Sequence, residues 1–308
     1  MASPPPPGYY VPATLFFDEN EELDLDAIRS HLLRLAQGGV TGILVQGSNG
    51  EAQHLDRQER KKIIQFTRTT LDENGFNNVV LIAGTGAQST RETKQLCFDA
   101  KEAGASYVLV LTPSTWPPQM TADNVIRFHR QVADAVNIPY MIYNFPVVTA
   151  GIDLDSDTIA TLARHPNIVG VKLSCGQVGK LHRLASTFSP SEFAVFAGRS
   201  DIFLTSLLCG GSGVIGATVN VLPKSHGNLL QLYRESRLSE AFELQAKLGH
   251  ADWAIQKLGG ISGVKAIVCR NWEYGKPIVR GPLKPVAVES LVGNKYAETL
   301  QELISMEK

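Results

Sequence analysis

Lys172 follows Ile168-Val169-Gly170-Val171, three aliphatic residues and a glycine, with no Asp or Glu beside it in sequence. Such a run reads as a strand buried on both faces in a parallel sheet. A buried lysine must pair or become neutral, because removing its hydration is costly. A neutral amine is a nucleophile that can form a Schiff base with a carbonyl compound. A lysine at a strand end that snorkels to water also fits the local pattern. One unit earlier, Ile142-Tyr143-Asn144-Phe145-Pro146 closes another apolar run. A phenol there could carry a proton to and from a carbinolamine hydroxyl. A core tyrosine with a hydrogen-bonded hydroxyl is the other reading. Gln46-Gly47-Ser48-Asn49-Gly50-Glu51 forms a third cluster. A turn of this composition gathers N–H groups and small polar side chains into a nest for a carboxylate. An ordinary glycine turn fits as well, and a phosphate loop would need a following Lys that is missing.

Two further stretches belong with these. In Ala197-Gly198-Arg199-Ser200-Asp201, Gly198 would leave space above the lysine, and Asp201 would cap the next helix,. Gly213-Val214-Ile215-Gly216 places small residues around Ile215. His54, His165 and His182 lack the HxxxH and HExxH spacings, so no metal site is expected,.

These residues need elements to hold them. Val11–Phe16, Gly42–Val45, Val79–Ala83, Tyr107–Leu111, Ile138–Tyr143, the Lys172 run, Phe193–Ala197 and Gly213–Ile215 read as strands,. Helical patterns separate them. Ala27–Gln37 ends at Gly38-Gly39, Asp56–Leu71 is amphipathic, and Ser89-Thr90-Arg91-Glu92 resembles a capping box,. Thr121–Ala135, Ser156–Arg164, Gln177–Thr187, Asp201–Leu208 and Leu222–Tyr233 follow. Eight β-then-α units imply a (β/α)8 TIM barrel, with active residues at the C-terminal ends of its strands. An open doubly wound sheet is the alternative, but Phe16-Phe17-Asp18-Glu19 lacks the glycines of a dinucleotide loop,. Ser239–Leu258, Ile261–Asn271 and Ala297–Glu307 read as a C-terminal helical extension, with a Gly/Pro-rich loop at Lys276–Pro285. The expected division is a disordered lead-in over 1–8, the barrel over 9–235 and the extension over 236–308.

Composition narrows the function. A net charge of −1 offers no polybasic surface, so nucleic acid is not an expected partner,. Cys97, Cys175, Cys209 and Cys269 lie far apart, which argues against zinc and disulfides and for a reducing compartment, the cytoplasm,. Met1–Gly8 has neither a basic n-region nor an apolar h-region, and no apolar run is long enough for a membrane span,.

Gly47-Ser48-Asn49-Gly50-Glu51, Tyr143-Asn144-Phe145-Pro146 and Gly170-Val171-Lys172 together resemble the three signatures of the dihydrodipicolinate synthase / N-acetylneuraminate lyase superfamily. Order and spacing match, and the similarity runs from about Val11 into the C-terminal helices. The resemblance implies a (β/α)8 barrel, a homo-oligomer (a tetramer or dimer) and a class I, pyruvate-dependent aldolase mechanism without cofactor. It makes Lys172 the Schiff-base lysine and Tyr143 the proton-shuttling tyrosine. Ser48 and Asn49 become the carboxylate-binding pair, with Gly198 and Ile215 lining the site. Dihydrodipicolinate synthases usually carry Arg at the place of Val148, where it holds a second carboxylate. Many members carry a relay Tyr at the place of Thr115. The Ser-Asn pair and His165-Pro166-Asn167-Ile168-Val169-Gly170 look like 4-hydroxy-2-oxoglutarate aldolases. Lys172-Leu173-Ser174-Cys175-Gly176 also resembles L-threo-3-deoxy-hexulosonate aldolases. The expectation is a lyase that splits a 2-keto-(3-deoxy)-4-hydroxy acid into pyruvate and an aldehyde. Condensation of pyruvate with aspartate semialdehyde and a non-catalytic barrel are the alternatives.

Overall fold

The first strand begins earlier than the apolar run at the N-terminus suggests. In the computed structural model, which describes residues 2–308, β1 is Gly8–Pro12 and not Val11–Phe16. Leu15, Phe16 and Phe17 are fully buried, but in the loop that leaves the strand. The Thr14 N–H there donates to Asn220 Oδ1, and Phe16 packs edge-on against His31 and Tyr274. Burial beneath the C-terminal segment, rather than strand pairing, accounts for these apolar residues.

The other strands lie within two residues of their expected places. They are β2 Gly42–Val45, β3 Val80–Gly84, β4 Tyr107–Leu111, β5 Tyr140–Asn144, β6 Ile168–Leu173, β7 Ala194–Ala197 and β8 Gly213–Ile215. Each pairs in parallel with the next, and β8 pairs with β1, so the sheet closes into a barrel. Between the strands run α1 Leu25–Gln37, α2 Arg57–Glu73, α3 Thr90–Glu102, α4 Ala122–Ala135, α5 Ser156–Ala163, α6 Val178–Thr187 and α7 Phe203–Leu208. After β8 come α8 Pro223–Arg234 and the C-terminal helices α9 Leu238–Lys257, α10 Ile261–Trp272 and α11 Lys295–Glu307. This is the expected (β/α)8 TIM barrel with C-terminal helices.

Local chemistry sets the helix starts. The Ser89 hydroxyl caps α3 by accepting from the Glu92 N–H at 3.1 Å. A full capping box stands instead at α2. Asp56 accepts from the Glu59 N–H, and Glu59 accepts from the Asp56 N–H, both at 2.8 Å. Asp201 does not cap α7. It lies in the 3-10 turn Ser200–Ile202 and pairs with Arg199 at 2.5 Å. A nearby guanidinium outcompetes a helix N-terminus for that carboxylate.

One irregularity in the sheet decides where the central lysine points. Between β5 and β6 the register shifts: Tyr140 faces Ile168, but Met141 faces Gly170. β6 therefore carries an extra residue, a bulge at Val169. Val169 belongs to the packed interior of the barrel, with Met141, Tyr143 and Phe196. Strict alternation from Val169 would turn Val171 and Leu173 inward and Lys172 outward. The observed faces are the reverse: Val171 and Leu173 join the core between sheet and helices. Lys172 pairs across the sheet with Tyr143 on one side and Phe196 on the other. Gly170 makes the bulge possible, since a Cβ there would stand 2.8 Å from the Ala194 carbonyl oxygen.

Three buried histidines tie the helices to the loops. His31 bridges Asn220 and the Tyr274 hydroxyl, His129 meets the Tyr140 hydroxyl at 2.6 Å, and His226 meets Ser200 Oγ at 2.8 Å. Burial pushes His31 and His129 down to about 3 and His226 down to about 4. Each is neutral in the fold and takes up a proton near pH 6.5 when unfolded. Their contribution is complete above about pH 6.5 and is lost as pH falls toward the folded values. The urea midpoint should hold steady from about pH 8 to 7 and fall progressively from about 6.5 to 5. A midpoint unchanged down to pH 5 would contradict neutral burial of these rings.

Candidate active site

The C-terminal ends of β2 to β5 surround a cavity of about 250 Å³. Ser48, Gly84, Leu111 and Tyr143 contribute to its wall, and Ile261 and Leu283 reach it from the C-terminal segment. A wall that mixes aliphatic side chains with polar and charged ones suits a small polar organic ligand,.

At the end of β2, Ser48–Gly50 form a short 3-10 turn. The residues on either side, Gln46 and Glu51, have φ of +45° and +50°. Left-handed backbone is uncommon for non-glycine residues and persists only where the surroundings over-determine it. Glu51 shows what holds this end. Its buried carboxylate lies 2.5 Å from Lys265 Nζ on α10 and accepts from the Arg280 N–H at 2.9 Å. His54 Nδ1 stands 3.2 Å from the same carboxylate. The turn is thus tied to the C-terminal helices by a buried ion pair.

Lys172 does not itself line this cavity; its Nζ lies over the ring of Tyr143, which does, 4.3 Å from the ring centroid. Lys172 is 2% exposed and Tyr143 4%. Two other lysines are equally buried, and each has a carboxylate: Lys180 pairs with Asp153 and Lys265 with Glu51. Lys172 has no such partner among the described residues. The Tyr143 ring stacks on Phe145, and its hydroxyl lies 3.5 Å from Ser174 Oγ.

The structure brings Ser48 and Tyr143 to one cavity wall and sets Lys172 against Tyr143. Asn49 sits half-buried on the same turn as Ser48 without lining that cavity. Ile215 is fully buried in the barrel interior, in the cluster that contains Tyr143. At Gly198, just past β7, a Cβ would meet Ser174, at 2.2 Å from Oγ and 2.7 Å from Cα. Its missing side chain makes room for Ser174 between β6 and β7. Thr115 is engaged by Gln88: its N–H and hydroxyl both donate to Gln88 Oε1 at 2.9 Å. Val148 lines the cavity as an apolar surface.

Three contributors were not singled out from sequence. Arg60 is buried against the cavity, donating to the Gly84 carbonyl at 3.1 Å, and burial lowers it to about 10. Gln88 pins the loop after β4 through Ser114 and Thr115. Lys265 sits in Val264-Lys265-Ala266-Ile267-Val268, a lysine in an apolar run. That is the same signal that drew attention to Lys172.

Fold and mouth together describe a (β/α)8 barrel with its candidate site at the C-terminal strand ends, and the similarity to named relatives makes it an enzyme of the class I, pyruvate-dependent aldolase type. The profile of the dihydrodipicolinate synthetase family matches residues 7–303. The chain is 45% identical over 302 residues to the "Probable 4-hydroxy-2-oxoglutarate aldolase, mitochondrial" of Emericella nidulans, covering 98% of this chain and 96% of that one. It is 38% identical over 326 residues to the "L-threo-3-deoxy-hexylosonate aldolase" of Aspergillus niger, covering 98% and 96%. Among solved structures, YagE of Escherichia coli K12, a dihydrodipicolinic acid synthase family protein crystallised with pyruvate, superposes with a TM-score of 0.88. It is 30% identical, with 96% of this chain and 98% of that chain covered. The chain belongs to the dihydrodipicolinate synthetase family.

The packing at Gly198 has a measurable consequence. Gly198→Ala should lower stability by about 1–3 kcal/mol in chemical denaturation, because the new methyl meets the main chain of Ser174, just past β6, as well as its hydroxyl. Adding Ser174→Ala should not restore it, since Ser174 N and Cα stay 2.8 and 2.7 Å from that methyl. Full restoration would show that the hydroxyl alone sets the constraint.

Proposed function

We propose that this lyase cleaves a 2-keto-4-hydroxy acid to pyruvate and an aldehyde, with Lys172 as the amine that bonds to substrate. The observation that carries this reading is Lys172 itself. It is buried, has no carboxylate partner among the described residues and lies 4.3 Å above the Tyr143 ring at the strand ends. The neutral amine adds to the C2 ketone, and Tyr143 gives its phenol proton to the carbinolamine hydroxyl, which departs as water and leaves an iminium and a phenolate. Tyr143 takes the proton of the C4 hydroxyl as the C3–C4 bond breaks. The bonding electrons move into the iminium to give an enamine, and the aldehyde departs. Tyr143 passes that proton to C3, and hydrolysis of the iminium then releases pyruvate and restores the amine and the phenol. The protein's own amine supplies the electron sink, so the sequence of steps uses no cofactor.

Ser48 and Asn49 hold the C1 carboxylate in this scheme. The first N–H groups of a helical turn have no partner within it, and the two side chains add a hydroxyl and an amide. Gly198 and Ile215 shape the floor, the first by admitting Ser174. The names of the Emericella nidulans and Aspergillus niger relatives point to 4-hydroxy-2-oxoglutarate or a 2-keto-3-deoxy sugar acid as substrate. Condensation with aspartate semialdehyde is the less favoured reading, because Val148 supplies no charge for a second carboxylate,. The exposed Trp116 and Val147, on the loops after β4 and β5, suit a subunit contact in a dimer or tetramer,. No helix among the described residues is long and apolar enough to cross a membrane. Four free cysteines suit the reducing cytoplasm,. The mitochondrion, named for the Emericella nidulans relative, is the other compartment to examine.

A substrate panel tests the reading. It comprises 4-hydroxy-2-oxoglutarate, both 3-deoxy-hexulosonate epimers, sialic acid, and pyruvate with aspartate semialdehyde. Pyruvate release from one of the first three is expected. Turnover of the last pair alone would move the function to condensation, and no turnover of any would leave a non-catalytic barrel. With the active substrate, Tyr143→Phe should lower kcat by about 10²–10⁴, the usual worth of a positioned proton carrier. A loss under threefold would remove Tyr143 from proton transfer.

A further inference from the structure

We infer that Lys265, on the C-terminal helix α10, is a positioning residue for keto-acid binding: it neutralises Glu51 beside the carboxylate-binding turn. The inference deepens the proposed function and rests on the Ser48/Asn49 turn receiving the substrate's C1 carboxylate.

Glu51 ends that turn and belongs to the cavity wall. An anion arriving at Ser48 and Asn49 therefore approaches a second carboxylate two residues away. Like charges in a water-poor site repel strongly. Lys265 answers this charge. Both side chains of the pair are fully shielded from solvent, and Nζ and Oε1 are 2.5 Å apart. The ammonium donates also to the Ile278 carbonyl at 2.7 Å and lies over the Phe17 ring. Burial lowers Lys265 from its ordinary value while Glu51 acts in the opposite sense. The remaining groups about Glu51 add little net charge. His54 faces it at 3.2 Å, and the Arg280 guanidinium is engaged by Glu59. With Glu51 balanced, Arg60 is the residual charge on the cavity wall among the described residues, and the wall is net positive. Without Lys265 it would be neutral overall, with a bare carboxylate next to the nest.

The placement matters for architecture as well. Lys265 lies more than two hundred positions after the turn it serves, and |i−j| for the pair is 214. Lys265 thereby belongs to the binding site without lining its cavity.

Two single variants separate charge from scaffolding. Lys265→Met and Glu51→Gln break the same ion pair, so a purely structural pair would weaken ligand binding in both. Neutralisation gives opposite signs. Pyruvate is the probe, with affinity measured by calorimetry and the borohydride reduction rate measured at saturating pyruvate. Circular dichroism confirms folding at the working temperature. Lys265→Met should weaken pyruvate binding by about tenfold or more, with the saturating reduction rate within about twofold of wild type. Glu51→Gln should bind pyruvate at least as tightly as wild type, and Glu51→Gln/Lys265→Met should recover most of the lost affinity. If Lys265→Met does not fold, Glu51→Gln decides alone. Weakening in Glu51→Gln, or unchanged affinity in folded Lys265→Met, would overturn the inference while wild-type binding upholds the proposed function. A wild-type protein that forms no pyruvate adduct would defeat both.

Discussion

The site depends on a single register shift between two neighbouring strands. Without the bulge at Val169, alternation along β6 would put Lys172 among the helices and Val171 in the barrel,. One residue of slack reverses both. It sets an amine in the interior beside an aromatic ring. The backbone can make the bulge because Gly170 lets β7 approach. A side chain there would push the strands apart and undo the reversal.

Much of the remaining structure serves to hold that mouth. The barrel supplies a rigid frame, with Tyr143 placed by direct pairing to Lys172. Gly198 admits Ser174 under the neighbouring strand, close to the tyrosine hydroxyl. The turn after β2 is strained at both ends and clamped by contacts that come from α10 and the loop after it. The C-terminal helices are thus more than an outer layer. They close the first βα loop over Phe16 and Phe17 and supply the charge that balances Glu51.

The barrel was legible because each strand is a short apolar run between helical periods, and eight repeats leave few other topologies. Lys172 and Tyr143 were legible for a related reason: a polar residue that ends a buried strand stands out against its neighbours. Val11–Phe16 misled because burial in a loop and burial in a strand leave the same composition. Asp201 misled because Arg199, two residues away, claims its carboxylate. The bulge at Val169 has no local mark beyond Gly170, since pairing register depends on the partner strand. Glu51 stood in a recognised motif, but its partner Lys265 could be found only by a contact across most of the chain. Ser174, the neighbour that a side chain at Gly198 would strike, is set by strand stagger and has no mark in the sequence.

The central claim is that Lys172 is the amine that bonds covalently to a keto acid. Incubation with pyruvate followed by borohydride reduction, then peptide mass spectrometry, tests it most directly. One reduced pyruvate adduct on the peptide carrying Lys172 is expected, with Lys180 and Lys265 unmodified in their ion pairs. An unmodified Lys172, or an adduct confined to another lysine, would contradict it.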